Sequence, residues 1–161
     1  MVVRLLKDSS KVEGWIKYAW FTCVLSCLAG CENSVSQRLL PSPVTLGPQP
    51  FKLTPTQPLR APGRSTHLCV ALPKGYREDF SSWSVHGPDG TEILLSASLT
   101  TTEGTVHEFT SRSFMHGSSG HYYCLSSNTS VDLATRYRQI LIWASASFPA
   151  DQIVWISGDE M

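Results

Sequence analysis

The chain has no uninterrupted apolar segment long enough to cross a membrane as a helix. Its uncharged apolar run near the N-terminus extends from Tyr18 to Gly30 and has 13 residues, whereas a membrane-spanning helix needs about 20. We therefore expect this run to serve as something other than a permanent anchor.

An excess of charge of one sign is also missing. The 161 residues include 13 basic and 13 acidic side chains, and residues 31–161 carry nine and eleven, a formal charge near −2. No basic cluster or RNA-binding motif is present, so we expect no nucleic-acid partner.

The sequence lacks the motifs of common catalytic centres. It contains no Gly-x-Ser-x-Gly elbow followed by suitable partners. His107, Glu108, His116 and His121 match no zinc-binding spacing, and their convergence on a metal is the alternative to their being solvated side chains on strands. We expect no enzymatic activity, no metal site and no cofactor.

The N-terminal run has the flanks of a signal peptide, with four basic residues before it and Ala29 and Gly30 at its end. Leu28-Ala29-Gly30-Cys31 is similar to the lipobox of bacterial lipoproteins. This resemblance implies that residues 1–30 are a signal peptide and that Cys31 carries a lipid whose acyl chains include palmitate. Glu32 is not the aspartate that retains such proteins in the inner membrane, which implies an outer-membrane anchor facing the periplasm. An ordinary secretory signal is the alternative.

A proline-rich segment follows. Seven prolines lie between Pro41 and Pro62, and Phe51 is the single aromatic residue from Glu32 to Gly63. Such a composition is typical of an extended, semi-rigid spacer. We therefore predict a linker over 31–63 that holds the domain several tens of ångströms from the lipid, at about 3 Å per residue. Packing of part of the segment along the domain as an irregular edge is the alternative.

Residues 64–161 consist of short apolar stretches separated by turn residues, which predicts an all-β domain of about seven strands. The strands fall in 67–72, 83–86, 91–99, 105–114, 121–126, 137–146 and 152–157. This spacing indicates an immunoglobulin-like or related β-sandwich.

Two cysteines remain for the domain once Cys23 and Cys27 leave with the signal and Cys31 is lipidated. In an oxidising periplasm we expect Cys69 and Cys124 to form a disulfide, which would stabilise the fold by about 4 kcal/mol in the chain-entropy model. Two free buried cysteines are the alternative. Cys69, Trp83 and the Tyr122-Tyr123-Cys124 segment resemble the immunoglobulin pattern of a buried Trp packed on an inter-sheet disulfide.

One loop is the candidate for binding a protein partner. It contains Lys74, Tyr76, Arg77, Glu78 and Asp79, and Tyr and Arg are enriched at the energetic centres of interfaces. A solvated loop with a local ion pair is the alternative. The pattern of apolar residues predicts that Trp83 and Trp143 lie in the core and that Trp155 lies near an edge.

The layout resembles type VI secretion immunity periplasmic lipoproteins of the enterobacterial type. The likeness is carried by the lipobox, the proline-rich segment, His67-Leu68-Cys69-Val70-Ala71-Leu72-Pro73, Trp83-Ser84-Val85, Gly87-Pro88-Asp89-Gly90 and a second cysteine downstream. It implies a periplasmic protein that binds and neutralises a toxic effector delivered by a neighbouring cell. Alternatives from other classes are a structural or accessory envelope lipoprotein and an envelope hydrolase or metal-binding protein.

Lipidation of Cys31 is directly testable. Changing Cys31→Ser removes the thiol that accepts the lipid, so we expect the protein to move from the membrane fraction to the soluble periplasm. Metabolic labelling with palmitate should mark the wild type and leave the variant unlabelled. An unlabelled wild-type protein would refute the lipoprotein prediction.

Overall fold

The computed structural model describes residues 35–40, 42–61, 65–117, 120–128 and 131–158. They form the strands β1 (Val35–Arg38), β2 (Val44–Leu46), β3 (Phe51–Leu53), β4 (Leu59–Arg60), β5 (Ser65–Ala71), β6 (Arg77–Asp79), β7 (Ser84–His86), β8 (Glu92–Ile93), β9 (Leu95–Thr101), β10 (Val106–Gly117), β11 (Gly120–Ser127), β12 (Arg136–Ala144), β13 (Phe148–Ala150) and β14 (Ile153–Gly158). The predicted signal peptide and Cys31 lie outside these residues. Across the described ranges there is no helix that could span a membrane.

The fold is all-β, as predicted, and its antiparallel sheets curl into a β-sandwich. Nine strands form the main sheet, which runs β1-β14-β5-β11-β10-β9-β12-β3 with β4 also paired to β12. Two smaller sheets, β13-β2 and β6-β7-β8, complete the described part of the chain. Each of the seven predicted strand regions contains a strand.

Strand β10 allows the main sheet to fold back on itself. Its first residues pair with β9 and the rest with β11, and the register shifts between Phe109 and Ser111. A β-bulge of this kind bends a strand and increases its twist. The sheet consequently closes around a core in which Trp155 of β14 meets Tyr137 of β12, with ring centroids 5.5 Å apart.

Trp155 is fully buried at the centre of this core. Its ring also packs on Phe109 of β10 at 6.2 Å, and its indole N–H donates a 2.8 Å hydrogen bond to the carbonyl of Arg60. The prediction that Trp155 lies near an edge is therefore wrong. A buried indole requires a hydrogen-bond acceptor, and a backbone carbonyl from the proline-rich segment supplies it.

The proline-rich segment belongs to the folded unit rather than forming a spacer. Strands β3 and β4 pair with β12, and β2 pairs with β13. Leu46, Leu53 and Leu59 are buried in the main core. The extended-linker prediction is thus wrong over the described residues, and the alternative of an irregular edge holds. The proline-rich composition predicts a linker, but the few leucines between the prolines are enough to pack the segment on the domain. They can do so because a sheet edge is available to pair with it.

Cys69 and Cys124 form the predicted disulfide, closing a loop with a sequence separation of 55. They lie directly opposite each other on the neighbouring strands β5 and β11, so the bond links two strands of one sheet. Trp83 lies at the end of the loop between β6 and β7 and is 43% exposed. The immunoglobulin pattern of a core Trp against an inter-sheet disulfide is therefore not realised.

The contribution of the proline-rich segment to stability can be measured. Leu59→Ala removes a side chain that is buried against the core, and we expect it to lower the free energy of unfolding by about 3 kcal/mol. Leu133→Ala is the matched control, because Leu133 is exposed. Urea unfolding of the full chain gives the free energy of unfolding of each variant. Equal values for Leu59→Ala and Leu133→Ala would mean that the segment does not pack as described.

Candidate functional site

The candidate site is built on the small sheet β6-β7-β8, which packs one face on the main core. Val85 of β7 and Ile93 of β8 are buried on that face. Because directly paired residues on neighbouring strands lie on the same face of a sheet, Glu78, which pairs with Val85, points the same way. A carboxylate is thereby directed inward and keeps only 10% of its side-chain surface exposed.

The Glu78 carboxylate contacts two histidines at the tip of the neighbouring β10-β11 hairpin. His116 of β10 and His121 of β11 are directly paired across the hairpin, and their rings stack at 4.4 Å. The Glu78 carboxylate lies 2.8 Å from Nε2 of His116 and 3.1 Å from Nδ1 of His121. Both imidazoles remain more than half exposed, so the cluster lies at the surface.

The other two metal-ligand candidates lie elsewhere. His107 and Glu108 are at the opposite end of β10, nine and eight residues from His116, or about 30 and 27 Å along the strand. Nδ1 of His107 is 2.9 Å from the hydroxyl of Tyr137, and Glu108 is exposed. The structure thus brings together two of the four residues considered from the sequence and adds Glu78 to them.

The residues of the predicted partner loop divide between structural and surface roles. Tyr76 packs edge-on against Phe148, with centroids 5.3 Å apart, and Glu78 faces the histidines. Lys74 and Arg77 are exposed and form no ion pair with the described residues. Lys74, Arg77, Glu78 and His121 all line a groove of about 590 Å³.

Asp79 stabilises the turn that follows this loop. Its carboxylate accepts hydrogen bonds from the hydroxyl and the backbone N–H of Ser81, at 2.6 and 2.9 Å, and these bonds hold its pKa well below the usual range. His86 pairs with Asp79 at 3.3 Å. The pKa of His86 is raised, most strongly by its hydrogen bond to the carbonyl of Gly90 and next by its contact with Asp79.

Three aromatic side chains form a surface cluster beside the groove, which we call the aromatic patch: Phe80, Trp83 and Phe114. Trp83 stacks on Phe114 at 5.9 Å, and Phe80 contacts Phe114 edge-on at 5.0 Å. Phe80 is 55% exposed and also lines the groove. The sequence does not reveal this patch, because the alternation of residues around Trp83 predicts a strand that enters the core.

The backbone of Trp83 is held in an unfavourable conformation. Its φ of +50° is in the left-handed region, which costs a residue with a side chain about 1–2 kcal/mol. The Tyr123 hydroxyl donates a 2.5 Å hydrogen bond to the carbonyl of Trp83. Burial raises the pKa of Tyr123 to about 12, so this donor keeps its proton at neutral pH. Strained residues held by their surroundings are concentrated at functional sites.

Comparison with known proteins yields no match: no family model, no curated protein and no solved structure is similar to this chain.

Two substitutions separate the backbone strain at Trp83 from the packing of its ring. Trp83→Ala and Trp83→Gly both remove the indole, but glycine alone adopts a positive φ without penalty. We expect the glycine variant to be more stable than the alanine variant by about 1 kcal/mol, measured by urea unfolding. Equal stabilities, or a more stable alanine variant, would contradict a left-handed Trp83.

Proposed function

We propose that this chain is a lipid-anchored protein of the bacterial cell envelope that binds a protein partner through the aromatic patch. The observation that carries the proposal is Trp83, a large aromatic side chain presented at the surface by a strained backbone. Trp is among the residues that dominate binding energy at interfaces, and contiguous exposed apolar patches are typical of interaction sites.

Charge indicates what the partner presents. Lys74 and Arg77 border the groove next to the patch and are not neutralised by any described carboxylate. A partner that places acidic groups over the groove and an apolar or aromatic side chain on Trp83 would satisfy both features. Electrostatic complementarity of this kind raises association rates and selects the partner.

The resemblance to type VI secretion immunity lipoproteins suggests the class of partner. In that role the domain binds a toxic effector that enters the periplasm from a neighbouring cell and blocks its activity, with no catalytic step of its own. Lipid on Cys31 would keep the protein at the outer membrane, facing the compartment in which the effector acts. The disulfide between Cys69 and Cys124 suits an oxidising compartment of this kind.

Affinity measurements with patch variants test the proposal. The full chain, purified in mild detergent, is titrated with the product of the adjacent gene, and cells producing that product in the periplasm are scored for rescue. We expect Trp83→Ala to weaken binding by about 30-fold, as for a hot-spot residue worth about 2 kcal/mol, and to abolish rescue.

Leu133→Ala is the matched control, since Leu133 is an exposed apolar residue outside the patch, and it should bind and rescue like the wild type. Cooperative unfolding of both variants confirms that they are folded. If Trp83→Ala bound the partner with the affinity of the wild type, the patch would be excluded as the interface. No binding and no rescue by the wild type would instead favour a structural or accessory envelope lipoprotein.

A further inference from the structure

The cluster of Glu78, His116 and His121 contains the donor atoms of a transition-metal site. One ligand atom from each of the three residues lies within 4.8 Å of the other two. Two imidazole nitrogens and one carboxylate oxygen are a donor set that binds zinc in proteins. From this geometry we propose that the three side chains bind one Zn²⁺ ion.

The distances fit an ion with little rearrangement. Tetrahedral coordination with bonds of about 2.1 Å separates neighbouring ligand atoms by about 3.4 Å. Oε1 of Glu78 lies 3.0 Å from Nε2 of His116 and 3.1 Å from Nδ1 of His121, so zinc requires these two contacts to lengthen by about 0.3–0.4 Å. The two imidazole nitrogens lie within 4.8 Å of each other and must reach the same separation of about 3.4 Å. The two imidazoles are exposed and can make that change by small rotations of their side chains.

The fold preorganises the three ligands. The pairing of Gly117 with Gly120 fixes the hairpin register that places His116 opposite His121, and directly paired residues have Cβ atoms about 5 Å apart. The alternation of β6 turns Glu78 toward them. A largely buried carboxylate is costly unless a cation or hydrogen-bond donors face it, and Zn²⁺ supplies the stronger of these two partners.

A bound ion would connect two elements that are distant in sequence. Glu78 belongs to the β6-β7 hairpin, whereas both histidines belong to the β10-β11 hairpin. Three protein ligands leave a fourth position open, and Glu78 and His121 border the groove. The ring of Phe80 is 6.4 Å from that of His116, so the ion would lie at the edge of the aromatic patch. The proposal concerns metal binding and does not depend on the identity of the protein partner.

Calorimetric titration of the full chain with ZnCl₂ tests the site. Any free thiols are first alkylated, so that no cysteine outside the Cys69–Cys124 disulfide can bind the metal. We expect one Zn²⁺ per chain and no binding of Mg²⁺, which prefers oxygen ligands. Glu78→Gln, His116→Gln and His121→Gln should each weaken zinc binding at least tenfold.

His107→Gln and Glu108→Gln are matched controls on β10, and their affinities should stay within twofold of the wild type. A second measurement, thermal unfolding, extends the test to variants that are less stable than the wild type. Excess Zn²⁺ should raise the Tm of the wild type and of both controls, EDTA should reverse the rise, and His121→Gln should show no rise. Absence of zinc binding by the wild type, or equal binding by His121→Gln and the controls, would overturn the proposal.

Discussion

The packing of Trp155 is the interaction on which the rest of this fold depends. Its indole lies on β14, contacts aromatic rings on β10 and β12, and donates its N–H to the carbonyl of Arg60 on β4. These strands come from both halves of the main sheet and from the proline-rich segment. A single buried side chain on β14 therefore links strands β4, β10 and β12 across the core.

Closure of the sheet also determines where the surface features lie. Once the main sheet has closed, the small β6-β7-β8 sheet buries Val85 and Ile93 against the core. The end of the β6-β7 hairpin that faces away from the core then lies at the surface, beside the tip of β10 and β11. Glu78 meets the two histidines there, and Phe80 and Trp83 meet Phe114. The candidate metal ligands and the aromatic patch thus both depend on contacts between the β6-β7 hairpin and the β10-β11 hairpin.

Local patterns in the sequence predicted the all-β class, the positions of the longer strands and the Cys69–Cys124 disulfide. They could also have predicted that His116 and His121 meet, because the two residues flank a Gly-x-x-Gly turn symmetrically. Glu78 could not be found in this way, since its contact spans 38 residues and depends on how separate sheets pack. The predictions for Trp83 and Trp155 are wrong for a similar reason: only the tertiary fold distinguishes a core position from a position at the surface.

The inclusion of β1 in the main sheet would limit the reach of any membrane attachment at Cys31. Given a lipid on Cys31, four residue steps separate it from the start of β1 at Val35, and a fully extended chain covers at most about 14 Å over that distance. The domain would then be confined close to the bilayer surface instead of extending into the periplasm. A partner would have to be captured within the thin layer next to the membrane, where confinement raises the local concentration of any molecule that also reaches that surface.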